Sequence, residues 1–269
     1  MTLDYRCPIC SEPLSQTNNT LGCINRHQFD FAKEGYVNLL PVQFKRSKQP
    51  GDNLDMVQAR RAFFATNHYA FLQQSLARLV ASKTPKAVID LGCGEGFYTQ
   101  AIATAVTDST AVYGLDISKP AVKYAAKRYT KPNFSVASSK DAPFKSEYAD
   151  VVLSIFAPVF TQESARLLQP DGTLIVVGPG PKHLFELKQK IYDDVRLHEA
   201  PECPEGFEVV EQTLVEDNQS VASDIVEHLI KMTPFAWKFK DSHYNELAQR
   251  KAHNVTFSFL ITQYKKITE

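Results

Sequence analysis

The 269-residue chain has 30 Lys and Arg against 30 Asp and Glu, and 43% of its residues are hydrophobic. This balance is that of an ordinary globular protein. It argues against a membrane protein, because no apolar run reaches the roughly 18 residues of a spanning helix and the N-terminal segment is not an apolar signal. We therefore expect a cytoplasmic location, in which the five cysteines are ligands or buried thiols rather than disulfides.

The charges are unevenly distributed along the chain. Seven Lys and Arg face four Asp and Glu between Arg26 and Arg61, whereas Leu197 to Ile230 contains nine Asp and Glu and no Lys or Arg. The basic end could approach a polyanion while the acidic stretch faces elsewhere. On charge alone, two solvated faces without a ligand explain the pattern equally well.

Four candidate metal ligands lie near the N-terminus. The spacing Cys7-x2-Cys10-x12-Cys23-x3-His27 gives two close pairs, each able to form one edge of a tetrahedron around zinc. A redox dithiol would need a thioredoxin-like βαβ context, and haem attachment would need His directly after the second cysteine. We predict a structural zinc site, with unliganded thiols as the alternative. The metal would supply folding free energy that about 40 residues cannot obtain from burial alone.

The next segments lead from this small unit into a larger domain. Residues 41–55 carry Pro and Gly without an apolar period, which is typical of a linker. Residues 56–80 have apolar side chains at helical spacing, and we predict two helices broken near Thr66 and Asn67.

The pattern then alternates between apolar strands and helices. Strands are predicted at 86–92, 111–117, 134–138, 150–157 and 172–178, with helices at 97–106, 119–129 and 163–168. The tail is predicted to hold a long helix at 182–196, a strand near 207–215, helices near 221–232 and 241–251, and a final strand at 254–264. Continuous apolar strands alternating with helices predict an α/β fold with a doubly wound parallel sheet.

A glycine-rich turn follows the first of these strands. Gly92, Gly94 and Gly96 allow a sharp turn and a close backbone approach to a ligand at a helix N-terminus. The bulk of Phe97, where a dinucleotide site has its third glycine, argues against a pyrophosphate. Asp90 precedes the turn and suits a cationic aminoacyl group. A packing role for the glycines alone does not explain both this carboxylate and the one that ends the second strand.

This arrangement resembles that of class I S-adenosylmethionine-dependent methyltransferases, which have a Rossmann-like sheet. Asp116, at the end of the second strand, would accept hydrogen bonds from the cofactor ribose. Ser138 lies where adenine-contacting groups sit in that fold, although Asp is common at this position in the class. Phe156 closes the fourth strand and could form a flat wall for a planar base, with ordinary core packing as the alternative.

The zinc module ahead of this domain resembles a narrower family, the bacterial 23S rRNA (guanine-N1)-methyltransferases. The resemblance covers nearly the whole chain and depends most on the unusual words FAKEGYVNLL and MTPFAWK. It also includes QARRAFF, DLGCGEGFYT and PGPKHLFELKQKIYDDV. The implied organisation is an RNA-holding zinc-binding module at 1–40, a linker and helices at 41–80, and an S-adenosylmethionine-dependent methyltransferase domain at 81–269.

The resemblance implies methylation of N1 of a guanine in a domain II hairpin of 23S rRNA by a homodimer. It also implies zinc binding by the four N-terminal ligands and cofactor contacts from Tyr69, Gly94, Glu95 and His183. Together with the residues of the glycine turn and the strand ends, the predicted cofactor site comprises Tyr69, Asp90, Gly92, Gly94, Glu95, Asp116, Ser138 and His183.

Neither the catalytic base nor the RNA contacts follow from the motifs. Guanine N1 carries a proton that must leave, and His183 is the leading candidate for its acceptor, ahead of Asp141 and His68. Candidate phosphate contacts are Lys33, Lys45, Arg46, Lys48, Arg60 and Arg61. Two other function classes remain open at this stage: a methyltransferase acting on a small molecule, and a non-catalytic zinc-containing RNA-binding protein.

Overall fold

The structure is a computed structural model that describes residues 4–44 and 54–267. Its first part is a small antiparallel sheet, in the order β1 (Ser15–Thr17), β2 (Thr20–Gly22) and β3 (Gln28–Asp30). The polar stretch between β1 and β2 forms the turn, in which Asn18 has a φ of 52°. Asn tolerates this left-handed conformation better than most residues. A short strand, β4 (Val37–Asn38), follows.

Two helices then lead into the larger domain. Helix α1 (Leu54–Phe64) and helix α2 (Ala70–Ser82) are separated by turns in which Asn67 has a φ of 63°. A left-handed residue cannot continue an α-helix, so the chain changes direction here. The predicted pair of helices and its break are confirmed, whereas part of the predicted linker lies outside the described residues.

The α/β domain follows in the predicted alternation. Its elements are β5 (Ala87–Leu91), α3 (Phe97–Ala105), β6 (Ala111–Asp116), α4 (Lys119–Arg128), β7 (Asn133–Val136), β8 (Ala149–Ile155), α5 (Thr161–Leu167) and β9 (Leu168–Pro179). The tail contains α6 (Phe185–Lys188), β10 (Phe207–Ala222), α7 (Ser223–Lys231), α8 (Asp241–Ala248) and β11 (Ala252–Lys266).

Among the described residues, the main sheet has eight strands in the order β10-β11-β9-β8-β5-β6-β7-β4. The pairings from β9 through to β4 are parallel, and those of β11 with β9 and β10 are antiparallel. Every residue of the central strand β5 is buried, as expected for a strand covered by helices on both faces. The predicted α/β, Rossmann-like class is confirmed, with two antiparallel strands at one edge.

The long helix predicted at 182–196 is wrong. Only Phe185–Lys188 forms a helix, and the chain continues as turns and irregular structure. Leu184 has a φ of 56°, which prevents a helix from beginning earlier. The Lys188 ammonium donates to the backbone carbonyl of His183 (2.8 Å) and pairs with the His198 ring, so tertiary contacts fold the segment back on itself. Helical spacing in the sequence does not report such contacts.

The N-terminal sheet packs directly on the main sheet. Tyr5 contacts the rings of Tyr113 and Phe144 at centroid distances of 5.4 Å and 5.1 Å. The backbone N–H of Arg6 donates to the Pro143 carbonyl, and β4 pairs with β7. Consequently one hydrophobic cluster contains Cys7 and Leu14, with Leu21 of β2, together with residues of β5, β6, β8 and β9.

Candidate functional site

The candidate site is formed where the parallel strands β5, β6 and β8 end. The glycine turn after β5 has positive φ values at Gly92, Gly94 and Gly96 (78°, 55° and 77°). A Cβ on Gly92 would lie 2.6 Å from the Ala157 Cβ, and one on Gly96 would lie 2.7 Å from the Phe134 ring. Both the conformation and the lack of space therefore require glycine, and the turn brings backbone N–H groups to the edge of the sheet.

Asp90 supplies a buried carboxylate beside this turn. Thr99 donates a hydrogen bond to one carboxylate oxygen (2.6 Å), and the other oxygen has no partner within the described part of the chain. Burial, with a smaller contribution from Asp116, raises the pKa of Asp90 to about 7. A ligand ammonium at the second oxygen would satisfy it and favour the ionised form. Asp90 therefore fits the aminoacyl end of S-adenosylmethionine, and Thr99 is a part of the site that the sequence did not reveal.

Asp116 shapes the turn from the next strand. Its carboxylate accepts from the backbone N–H groups of Gly94 (3.0 Å) and Ser118 (2.7 Å). A carboxylate at the end of a strand beside the glycine turn is a group that can accept hydrogen bonds from a diol. The predicted ribose contact is thus compatible with the geometry, and Asp116 additionally holds the glycine turn in place.

A cluster of polar side chains lies beside the turn and comprises Tyr69, Glu95, Tyr98 and Arg60. The two tyrosines and Glu95 are buried, and the Tyr98 hydroxyl has no hydrogen-bond partner among the described residues. An Arg60 guanidinium nitrogen lies 3.8 Å from the position of a Cβ on Gly94. Arg60 was predicted to contact RNA phosphate, but the structure places its charge beside the cofactor turn. Its spacing in the sequence gave no sign of this position.

Phe156 and His183 form an open aromatic wall next to the turn. Phe156 directly follows β8, has a φ of 53° and is 46% exposed, so the core-packing alternative does not hold. The two rings are nearly parallel, with centroids 6.2 Å apart, and both contact Phe259. A non-glycine residue held in this strained conformation at the end of a strand is typical of a functional site. The wall has the shape to stack a planar base.

His183 is neutral at physiological pH. Burial, together with the nearby Lys188 and His198, lowers its pKa to about 3. The backbone N–H of Ser258 donates to Nδ1 (3.4 Å), so the remaining proton belongs on Nε2. Such a ring is a weak proton acceptor and a good hydrogen-bond donor. The pairing of Lys188 with His198 behind it was not predictable from the sequence.

The other predicted residues lie in different surroundings. The half-buried Ser138 accepts from the backbone N–H of Lys140 (3.2 Å). The exposed Asp141 forms an ion pair with Arg6 of the N-terminal unit. The His68 ring stacks on Phe63 and pairs with the Gln219 side chain. Asp141 and His68 therefore both have protein partners that occupy the groups a catalytic base would use.

Of the remaining phosphate candidates, Lys33 is exposed on the N-terminal unit. The Arg61 guanidinium stacks 4.1 Å from the centroid of the Tyr124 ring. Lys45, Arg46 and Lys48 lie outside the described residues.

The four N-terminal ligands come together as the spacing predicts. The Sγ atoms of Cys10 and Cys23 are 3.7 Å apart, and His27 Nδ1 lies 3.5 Å and 3.4 Å from the Sγ atoms of Cys7 and Cys23. A zinc tetrahedron with usual bond lengths has edges of about 3.8 Å between sulfurs and about 3.5 Å between sulfur and nitrogen. The distances between these ligand atoms are therefore those of a tetrahedral zinc site.

The electrostatics of the cysteines also suit a cation. The Asn25 side chain, followed by the Glu12 backbone, lowers the pKa of the Cys10 thiol to about 6. Burial has the opposite effect on Cys7 and raises its pKa. Zinc binds thiolates, so its charge favours the ionised form of both the readily ionised Cys10 and the buried Cys7.

Comparisons with known proteins agree with this architecture. A family model described as a methyltransferase domain matches residues 89–176, and a zinc-ribbon model described as the N-terminal part of RlmA matches residues 5–48. A solved structure of a provisionally named type II methyltransferase from Anaeromyxobacter dehalogenans superimposes with a TM-score of 0.52. It has 17% identity and covers 72% of this chain and 95% of its own. The fold and the site thus define a class I S-adenosylmethionine-dependent methyltransferase with an N-terminal zinc ribbon.

Curated relatives identify the family to which the chain belongs within this class of methyltransferases. The 23S rRNA (guanine(748)-N(1))-methyltransferase of Streptomyces fradiae is 35% identical over 96% of this chain and 95% of its own length. A provisionally named 23S rRNA (guanine-N(1)-)-methyltransferase of Bacillus subtilis (strain 168) is 30% identical over 94% of this chain and 93% of its own. The chain belongs to the family of 23S rRNA (guanine-N1)-methyltransferases. Its cofactor is S-adenosylmethionine, and its ribbon is a structural zinc module.

None of the described helices combines the length and hydropathy of a membrane span.

Proposed function

We propose that this protein transfers a methyl group from S-adenosylmethionine to N1 of a guanine in a domain II hairpin of 23S rRNA. The observation that carries the proposal is the half-exposed Phe156 ring, which lies nearly parallel to His183 beside the glycine turn. A small-molecule methyltransferase encloses its substrate, whereas this wall is open to a base presented by a large RNA. The family membership supports the same reaction.

The cofactor is proposed to lie along the ends of β5, β6 and β7. Asp90 would receive the ammonium group, Asp116 the ribose and Ser138 the adenine edge, with Tyr69, Glu95 and His183 close to the aminoacyl end. Gly92 and Gly94 have no side chains, so the cofactor could approach the backbone of the turn closely. The bound cofactor supplies an activated methyl group on a sulfonium. The chain therefore has to orient the guanine, exclude water and manage the N1 proton.

We assign His183 a donor role rather than that of a base. With its pKa lowered to about 3, the neutral ring accepts a proton poorly, and Nδ1 already accepts from Ser258. The Nε2–H can donate to guanine O6, where negative charge develops as N1 loses its proton. Phe156 stacks the base after it has left the RNA helix. The acceptor of the N1 proton is not assigned.

The organisation of the chain follows from these roles. Residues 1–40 are proposed to hold RNA, 41–80 to connect, and 81–269 to bind the cofactor and carry out the transfer. The substrate of a ribosomal RNA enzyme is in the cytoplasm, which is therefore the proposed location. We also propose a homodimer, in which two zinc ribbons would contribute to one RNA-binding cleft.

Mass spectrometry of 23S rRNA from a strain lacking the gene tests the proposal. We expect one N1-methylguanine to disappear and to return when the wild-type gene is supplied. Phe156→Ala should restore little methylation while its protein retains S-adenosylmethionine binding by calorimetry. An unchanged N1-methylguanine content in the deletion strain would refute the proposed reaction.

A further inference from the structure

A second surface with aromatic and basic side chains lies outside the methyl-transfer site. It is a groove of about 430 Å³ lined by residues 189–193 on one side and by Trp237, Lys238, Lys240 and His243 on the other. We refer to it as the Trp237 groove. Its second side begins in the MTPFAWK stretch, which neither the cofactor site nor the zinc site explains.

Trp237 is exposed to an unusual degree for its size. It lies in a short 3-10 helix (Ala236–Lys238) and is 77% exposed, whereas its neighbours Phe235 and Phe239 pack inward. The indole is therefore not part of the core, and its amphipathic ring is available for contact with another molecule.

The charges of the Trp237 groove favour an anion that also has an aromatic face. The Lys238 ammonium lies 4.0 Å from the centroid of the Tyr192 ring and 5.3 Å from that of Trp237. Lys240 is exposed, and Lys190 forms an ion pair with Glu246. Asp193 is the one acidic residue among the lining residues. Exposed aromatic rings beside lysines are the combination that binds unpaired nucleotides, through base stacking and phosphate contact.

The groove is also close to the candidate methyl-transfer site. Its first side starts immediately after Lys188, whose ammonium donates to the His183 carbonyl and lies 5.9 Å from the Phe235 ring centroid. His183 in turn forms the aromatic wall with Phe156. Lys188 therefore links the segment that lines the groove to the aromatic wall.

We propose that the Trp237 groove binds one unpaired nucleotide of the substrate RNA, near the guanine that is methylated. Its base stacks on Trp237, and its phosphate contacts Lys238 and Lys240. This inference rests on the proposed RNA substrate and adds a second point of recognition, which would help to hold the guanine out of its helix. The site would favour RNA with unpaired bases over a continuous duplex.

The protein contains a single tryptophan, so tryptophan emission, excited where tyrosine does not absorb, reports on this groove. The zinc-loaded full chain is titrated with a domain II hairpin transcript and with a blunt duplex of equal length. We expect the hairpin to quench the emission and the duplex to quench it less. Trp237→Ala should raise the RNA dissociation constant about tenfold or more, the usual effect of losing one stacked base. Trp237→Phe should recover most of that loss.

Two controls separate the possible outcomes. Val210→Ala removes an exposed apolar side chain from the edge strand β10 and should leave RNA affinity unchanged. The double change Lys238→Ala and Lys240→Ala should reduce the salt dependence of RNA binding. The groove proposal is wrong if Trp237→Ala binds the transcript normally and if the transcript does not change the tryptophan emission of the wild type. The proposed function still stands in that case, provided that the wild type methylates the transcript. If wild type neither binds nor methylates the transcript, both are wrong.

Discussion

Asp90 shows how one side chain combines fold and function. Its position before the glycines was evident from the sequence, but its pKa depends on burial and on Thr99, which lies one turn into the following helix. The unpartnered oxygen means that the cofactor-free protein contains a buried polar group at a cost. A cationic ligand removes that cost, so binding energy comes partly from relief of an unfavourable state.

The Asp90 pKa of about 7 predicts pH-dependent cofactor binding. An ammonium ligand needs the ionised carboxylate, so affinity should rise as pH rises toward 7. Between pH 5.5 and 7 the ionised fraction of Asp90 rises from about 3% to about 50%, so affinity should increase about fifteenfold. The ligand does not change its charge over this range, because α-amino groups stay protonated up to about pH 7.7. Calorimetric titration with S-adenosylmethionine measures this increase in affinity. Asp90→Asn should bind weakly with little pH dependence, and an equally steep profile in that variant would assign the effect to another group.

The glycine turn connects β5 to α3 and sets the direction of the helix relative to the strand. Gly96 precedes α3 with a φ of 77°, and its missing side chain leaves room for the buried Phe134 ring. Gly96→Ala should therefore destabilise the fold by about 1–3 kcal/mol through strain and overlap. Chemical denaturation measures this value. Gly178→Ala is the matched control, since nothing lies within 4 Å of its added Cβ, and equal losses in both variants would contradict the argument.

The elements also show where prediction from sequence succeeds and fails. Strands β5 to β9 and β11 and helices α1 to α5 were predicted because their apolar periods are imposed by burial within each element, whereas β4 was not predicted. The helix predicted after β9 was wrong because Leu184 has a left-handed conformation and because Lys188 pairs with His198, ten residues further along the chain. The position of Arg60 was missed for a similar reason, because only the tertiary fold directs its guanidinium toward Gly94. The sequence therefore predicted which motif residues belong to the site, but it did not predict the side chains that contact them in the folded protein.

The zinc ribbon and the main sheet share one hydrophobic core. Cys7, Leu14 and Leu21 belong to the same hydrophobic cluster as residues of β5 and β8, and β4 continues the main sheet. The ribbon could be recognised from its ligand spacing, but this continuity could not, since strand pairing across distant segments leaves no local pattern. Zinc binding should therefore stabilise the catalytic domain as well as the ribbon.

Cys10→Ser tests that coupling. The variant should lose zinc, measured by plasma mass spectrometry, and its thermal unfolding midpoint should fall by several degrees because the shared core loosens. RNA affinity should drop more than cofactor affinity, since the zinc ligands belong to the N-terminal unit and not to the glycine turn. Cys203→Ser, which changes an exposed thiol, is the control. A Cys10→Ser protein that keeps zinc and RNA affinity would overturn both the ligand assignment and the RNA-holding role.

The two edges of the main sheet differ in a way that affects solubility. At one edge β4 covers β7, while at the other β10 leaves sixteen mostly exposed residues beside solvent. Such an edge is a template for aggregation, but a bulge between Val209 and Glu211 and a series of carboxylates interrupt it. Two copies would bring these carboxylates together, so the proposed homodimer should use another surface. The acidic stretch that looked like a charge imbalance in the sequence thus protects the open edge of the sheet.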